Sequence, residues 1–421
     1  MKSGLFCDLY ALTMANSYFL ANKHEEIVYF DVFFRNMPEN GGYAVFAGLE
    51  TTLKFLKQVR FKADELKYLS SLGIFAHEFL SYLKDFKFKG EVYSFKEGCL
   101  VFAKEPIMTI KGTLVECQLV EAFILNSINF ETLISTKAAR IVKAAKGRAV
   151  FEFGTRRAHS SSAAIKGARA AYLAGALATS NVLAGKTNKI PVVGTMAHSY
   201  VQAFVDEYTA FLTWAKHNPG NISLLIDTYS TISSGLANAI KLQKDVLDKQ
   251  GLKVQSVRID SGDIAYLSKQ IRKQLDSAGM SFVKICATNS LDEYIITDLL
   301  SNQGAKVDLF GVGERLITAS AQPVLGAVYK LAATVENGAV KPKIKVSATA
   351  EKTTLPGVKE VFRIYKEDKA IGDLIALKGE NLGQDTTVFA LTDLQTKLSL
   401  KDCKFVPTRA LVFKDGEILA K

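Results

Sequence analysis

The sequence predicts an α/β protein whose central domain repeats a strand, loop and helix unit, flanked by a second α+β domain assembled from both chain ends. Three observations carry this. From about residue 148, short apolar runs recur, each closing on Gly, Ser, Thr, Asp or Asn. Stretches of helical length separate them, and the patterning changes before residue 135 and after about residue 340.

The runs are AVFEFG (149–154), IPVVGTMAH (190–198), ISLLIDTY (222–229), QSVRIDSGD (255–263), FVKICATNS (282–290) and VDLFGVGE (307–314), followed by PVLGAVYKLA (323–332). Their mostly continuous apolar character suits strands buried on both faces, as in a parallel sheet. Residues 265–280 read as a helix, with Leu267, Ile271 and Leu275 at four-residue spacing and Gly279 near the C-terminal end. Repeats of this kind fit a (β/α) barrel or a doubly wound sheet.

The flanking segments read differently. Residues 26–35 (EIVYFDVFFR) alternate as a strand, 50–60 carry helical patterning, and 91–95 and 358–365 are strand-prone. The expected division is 136–334 for the barrel-like catalytic domain, and 1–135 plus 335–421 for the outer domain.

A chain of 421 residues that is 48% hydrophobic can bury a large core. No run of roughly 18 uncharged apolar residues occurs, and Asp8 interrupts the first apolar stretch, so a cytoplasmic protein without membrane spans is expected. Five widely spaced cysteines without a C-x-x-C pair read as reduced thiols. The formal charge of +11 is spread through helical surfaces, with no basic run interleaved with aromatics. That favours a small polyanionic substrate over nucleic acid.

Polar residues gather at the run ends, where a (β/α) architecture places its chemistry. Phe153, beside Gly154, Arg156 and Arg157, can stack a planar ring while the guanidiniums grip an anion. Alone, that cluster is equally a core ring and a solvated turn. His198 ends one run and Asp227 the next, so the carboxylate could hold one imidazole nitrogen and leave the other as base or nucleophile. Arg258, Asp260, Ser261 and Asp263 supply the mixture a ribose diol and a magnesium-bound pyrophosphate need, while Ser261 or Asp263 equally fits a cap for the helix that follows. Gly311 and Gly313 let backbone N–H groups approach a phosphate at a loop entering a helix, a weak signal by itself. No P-loop, G-x-S-x-G elbow or zinc spacing is present, and no metal ligands stand out.

The segments CDLYALTM, FDVFFRNMPENGGYAVFAGLE, EFGTRRA, SNVLAG, GTMAHSY, LLIDTY, RIDSGD, ATNSLDEY and FGVGERL, in that order over nearly the whole chain, closely resemble the nicotinate phosphoribosyltransferase family. The resemblance implies an irregular (β/α) barrel, an outer domain from both termini, and a homodimer with shared active sites. It implies that nicotinate and 5-phosphoribosyl 1-pyrophosphate give nicotinate mononucleotide and pyrophosphate, coupled to ATP hydrolysis with Mg²⁺. Phe153 and Tyr10 resemble the pair that sandwiches the pyridine ring, the tyrosine coming from the partner subunit; by itself Tyr10 reads as helix core. Arg156 resembles the residue near the ring substituent, Arg258, Asp260, Gly311 and Gly313 those around ribose and 5′-phosphate, and Arg35 an arginine reaching the pyrophosphate. His198 resembles a histidine phosphorylated from ATP, with Asp227 its hydrogen-bond partner.

Thr179, Ser180 and Asn181 carry no charge to repel a carboxylate, which favours nicotinate over the nicotinamide used by a relative with an acidic residue there. Two positions depart from the family pattern, Cys7 and Ser230. The rival readings are a nicotinamide or quinolinate phosphoribosyltransferase and a barrel that senses nucleotides without turnover.

Overall fold

The computed structural model describes residues 2–348, 352–383, 386–391, 393 and 395–419. It forms two compact units, Met1–Leu133 with Val324–Lys421, and Ile134–Pro323. The chain passes from the first to the second inside the 31-residue helix Leu114–Ala144.

The first unit is built on a seven-stranded antiparallel sheet. Its spatial order is Ala339–Pro342, Ala327–Glu336, Ile27–Phe34, Met108–Thr113, Glu91–Ser94, Ala410–Lys414, Glu417–Ile418. The aromatic alternation of 26–35 becomes an inner strand, with Val28, Phe30, Val32 and Phe34 buried on one face. Residues Leu49–Leu56 are helical, and Lys359–Lys366 is a strand between Lys369–Leu377 and Lys404–Pro407.

One run lies elsewhere than the sequence grouping placed it. Residues 323–332 feed the strand Ala327–Glu336, which pairs antiparallel with Ile27–Phe34 in the first unit and takes no part in the parallel sheet. A short apolar run fits either setting; pairing decides.

The second unit carries six parallel strands in the order Ala178–Thr179, Ala149–Glu152, Leu309–Val312, Lys284–Ala287, Ser256–Ile259, Ser223–Leu225. The first and last strands in sequence are neighbours, and every other strand lies beside its successor except Ala178–Thr179, which stands at the opposite edge from Ser223–Leu225, a half-barrel order. Val150, Leu224, Val257, Ile259, Ile285 and Phe310 fill the sheet core. The helix Ile264–Ser277 covers it with Ile271 and Leu275, buried as their spacing predicts.

The run 190–198 does not form a strand. Only Val192 bridges to Thr179, because Pro191 lacks an N–H for the ladder. Between that segment and the strand Ser223–Leu225, Asn221 Nδ2 donates to Gly194 O at 2.7 Å. Among the described residues no helix is long and apolar enough to cross a membrane, and no disulfide joins the five cysteines.

Candidate active site

Parallel strands deliver their C-terminal ends to one edge of a sheet, and there the second unit collects its chemistry. Phe153 follows Ala149–Glu152, Asp227 and Thr228 follow Ser223–Leu225, Asp260 follows Ser256–Ile259, and Thr288 follows Lys284–Ala287.

The ring of Phe153 lies against Gly311. A Cβ there would stand 2.6 Å from Phe153 Cδ2 and Cε2 and 2.7 Å from Thr288 Cγ2. The expectation of a G-x-G loop is corrected at this point: Gly311 lies within the strand Leu309–Val312, paired with Phe151, and its missing side chain seats the ring. Gly313, the N-cap of the short helix Glu314–Ile317, approaches Phe153 O closely. Beyond the ring the chain makes one turn over Thr155–Arg157, carrying Arg156 and Arg157 exposed. Arg157 Nε stands 3.7 Å from Glu314 Oε2, a solvated pair.

Under this turn Glu152 is 1% exposed. Its Oε1 accepts from Gly154 N at 2.5 Å and its Oε2 from Thr179 Oγ1 at 2.6 Å. Burial pushes this carboxyl above its ordinary range, against the two hydrogen bonds, which favour the charged form. Thr179 is fully buried with its hydroxyl on Glu152, so it supports the site from beneath; Ser180 is half-buried.

His198 begins the helix His198–Gln202. The expected partnership with Asp227 is corrected by the structure. His198 Nδ1 pairs with Thr228 Oγ1 at 3.1 Å, and Nε2 faces Asp260 Oδ2 at 3.9 Å. Asp227 instead turns to the neighbouring strand end, where its Oδ2 accepts from Asp260 N at 2.8 Å and Ser261 Oγ at 2.6 Å. Successive residues of an extended segment point to opposite sides, so Thr228, not Asp227, reaches the imidazole. Asp260 Oδ1 in turn accepts from Thr288 Oγ1 at 2.5 Å. Asp263 caps the helix Ile264–Ser277 through Tyr266 N at 2.9 Å.

Arg258 lies inside its strand, beside Leu225 and Cys286. Its Nε is buried and meets no acceptor among the described residues, leaving a charged donor suited to an anion. Burial pushes the neighbouring Cys286 thiol up to about 12, so it stays protonated. No group of three or more His, Cys, Asp and Glu among the described residues could hold a metal.

Two of the sequence-derived residues belong to the first unit. Arg35 follows the strand Ile27–Phe34, with its Nε buried and meeting no acceptor among the described residues. Tyr10 sits in the first turn of the helix Leu9–Leu20, 49% exposed, so it is not helix core. It lines a cavity of about 440 Å³ with Phe6, Cys7 and Glu121. Burial and Glu121 push its phenol up to about 12.

Family models match almost end to end: a nicotinate phosphoribosyltransferase N-terminal domain over residues 5–129, the nicotinate phosphoribosyltransferase family over 149–376, and its C-terminal domain over 358–421. The chain belongs to the nicotinate phosphoribosyltransferase family. It is 46% identical over 420 residues to the nicotinate phosphoribosyltransferase of Bacillus subtilis, covering 98% of this chain and 84% of that protein. A Mycobacterium tuberculosis nicotinate phosphoribosyltransferase is 42% identical over 381 residues, covering 90% and 80%. The crystal structure of human nicotinic acid phosphoribosyltransferase superposes with a TM-score of 0.83 at 26% identity, covering 98% of this chain and 90% of that one.

Within this nicotinate phosphoribosyltransferase chain, the sequence reading gave no role to Glu152, which opens the Phe153 cluster, or to Thr228 and Thr288. Each stands one residue from a position that was singled out or at another strand end. The available signal was their place: polar residues closing apolar runs at the ends of strands.

Proposed function

We propose that this chain joins nicotinate to 5-phosphoribosyl 1-pyrophosphate, giving nicotinate mononucleotide and pyrophosphate. The observation that carries the reading is the Phe153 ring seated on Gly311 along the same sheet edge as Arg258, Asp260 and His198. A planar ring acceptor and an anionic sugar require that combination. Phe153 stacks the pyridine, Arg156 meets its carboxylate, and Ser180 borders it without charge. Arg258 holds phosphate oxygens, while Asp260 accepts from the ribose hydroxyls. The ring nitrogen attacks C1 of the ribose as the C1–O bond to pyrophosphate breaks. Positioning and electrostatics supply the rate; no protein proton needs to move. Mg²⁺ arriving with the pyrophosphate would be met through water by carboxylates at the strand ends and would supply neutralising charge to the leaving group.

ATP enters through His198. Nε2 attacks the γ-phosphorus, ADP leaves, and water later cleaves the N–P bond to release phosphate, coupling hydrolysis to a tighter site. Thr228 on Nδ1 supports this by fixing the tautomer. The half-barrel sheet is part of an irregular (β/α) barrel, with an outer domain from both termini. In a homodimer, Tyr10 of the partner subunit completes the ring sandwich, consistent with its exposure.

The test is pyrophosphate release with nicotinate, nicotinamide and quinolinate side by side, with and without ATP. Nicotinate alone should be turned over efficiently, and ATP should raise its kcat/KM. Preference for nicotinamide, or no turnover, refutes the substrate assignment. Acid-labile label from γ-labelled ATP, lost in His198→Ala, tests the phosphohistidine; label retained in that variant refutes it.

A further inference from the structure

We infer that Glu152 is a positioning residue for substrate selectivity, locking the loop that carries Phe153 and Arg156 in register with the loop that carries Thr179 and Ser180. The inference rests on the nicotinate reading above.

One buried side chain ties both loops. Toward the ring, Glu152 Oε1 takes Gly154 N, and Gly154 O then takes Arg157 N at 2.7 Å and Ala158 N at 3.1 Å, forming the turn that displays Arg156. On the other side Oε2 takes Thr179 Oγ1, which itself accepts from Asn181 N at 3.0 Å; Asn181 Oδ1 then caps the helix Val182–Asn188 through Ala184 N at 2.9 Å. The backbone makes a third tie, Ser180 N to Glu152 O at 2.9 Å. Both carboxylate oxygens accept, and neither faces solvent.

A carboxylate is the only side-chain group that can do this, since both neighbours donate. A carboxamide of equal size must turn an N–H toward one of them, leaving a buried donor unmet. The Phe153 platform and the uncharged Ser180 would then lose their common frame. The ring substituent is read between those two loops, so discrimination at the carboxylate should suffer before sugar binding does.

Glu152→Gln should raise KM for nicotinate by about tenfold or more and lower the nicotinate to nicotinamide preference by a similar factor, with KM for phosphoribosyl pyrophosphate within about twofold. Thr179→Val should do the same, Thr179→Ser should recover most of that loss, and the double variant Glu152→Gln, Thr179→Val should be no worse than the more impaired single. Uniform changes in kcat and both KM values, or additive effects, overturn the inference.

Amide hydrogen exchange supplies a readout without turnover. In Glu152→Gln, residues 154–158 and 179–184 should lose protection together; loss on one side alone overturns the lock. If the wild-type protein makes no pyrophosphate from nicotinate, the functional reading falls, and exchange still decides the positioning claim.

Discussion

Replacing Gly311 by Ala tests the ring seat directly. The new Cβ would meet Phe153 Cδ2 and Cε2 at 2.6 Å and Thr288 Cγ2 at 2.7 Å. Carbon pairs rest at about 3.5–4.0 Å, so ring and threonine must each retreat by roughly 1 Å. Overpacking of that size costs about 1–3 kcal/mol of stability. The larger effect falls on catalysis, because a 1 Å misplacement of a positioning group can cost about 10²-fold. Retreat of Thr288 also disturbs Asp260, which accepts its hydroxyl at 2.5 Å. Gly311→Ala should therefore lower kcat/KM for nicotinate by roughly ten- to a hundredfold while the protein stays folded. Adding Thr288→Ser removes Cγ2, keeps the hydroxyl, and should restore part of the loss. The assay is pyrophosphate release against nicotinate concentration, with thermal unfolding of each variant alongside. A kcat/KM within about twofold of wild type would refute the seat, because three contacts this short cannot be absorbed without moving the ring.

Three further perturbations separate the roles of neighbouring groups. Thr228→Val removes the Nδ1 partner of His198 and should slow acid-labile labelling from γ-labelled ATP by roughly tenfold, equivalent to about 1.4 kcal/mol; an unchanged rate refutes the tautomer role. Asp260→Asn should impair that labelling more than Asp227→Asn, since Asp260 faces His198 and Asp227 accepts from Asp260 N and Ser261; the reverse order in a labelling time course would refute the corrected pairing. Gly235→Ala places a Cβ 1.9 Å from Ile226 O, a backbone atom two positions before Thr228, and should cost more than about 3 kcal/mol in urea unfolding. Stability should also depend on pH through Glu105, which burial and the neighbouring Asp373 push from 4.5 up to about 9. Between those values the folded protein holds a proton that the unfolded chain has released, so stability is greatest below the window and falls as pH rises through it. Urea unfolding at a series of pH values should show this slope, and Glu105→Gln should flatten it.

Much of the architecture is legible in the sequence because buried parallel strands leave continuous apolar runs and their helices repeat at a fixed spacing. Five of the runs from 149 to 314 are strands of one sheet, and the helix at 264–277 buries Ile271 and Leu275, with Leu267 half-buried. The failures have physical causes. Residues 190–198 look like the other runs, but Pro191 cannot donate to a ladder, and only Val192 is bridged. The run at 323–332 is apolar enough for either sheet, and strand pairing, which is non-local, takes it to Ile27–Phe34. In the site, the types of residue at the strand ends were readable, whereas their partners were not. Spacing alone cannot say that Asp227 turns sideways to Asp260 and leaves Thr228 for His198, or that Gly311 matters for the atoms it lacks.

The segment that failed to become a strand gives the second unit a place where chain length can vary at little cost. Val193 N bonds to Thr179 O at 3.0 Å, and Asn221 Nδ2 to Gly194 O at 2.7 Å, so the 193–221 stretch is pinned near its two ends while no ladder runs through it. An insertion inside a ladder shifts every side chain beyond it to the opposite face. An insertion within 203–206, after the helix that begins at His198, would leave the register of all six strands intact. The loop after the histidine's helix is therefore a natural graft point, where chain can be lengthened or exchanged without redesigning the sheet.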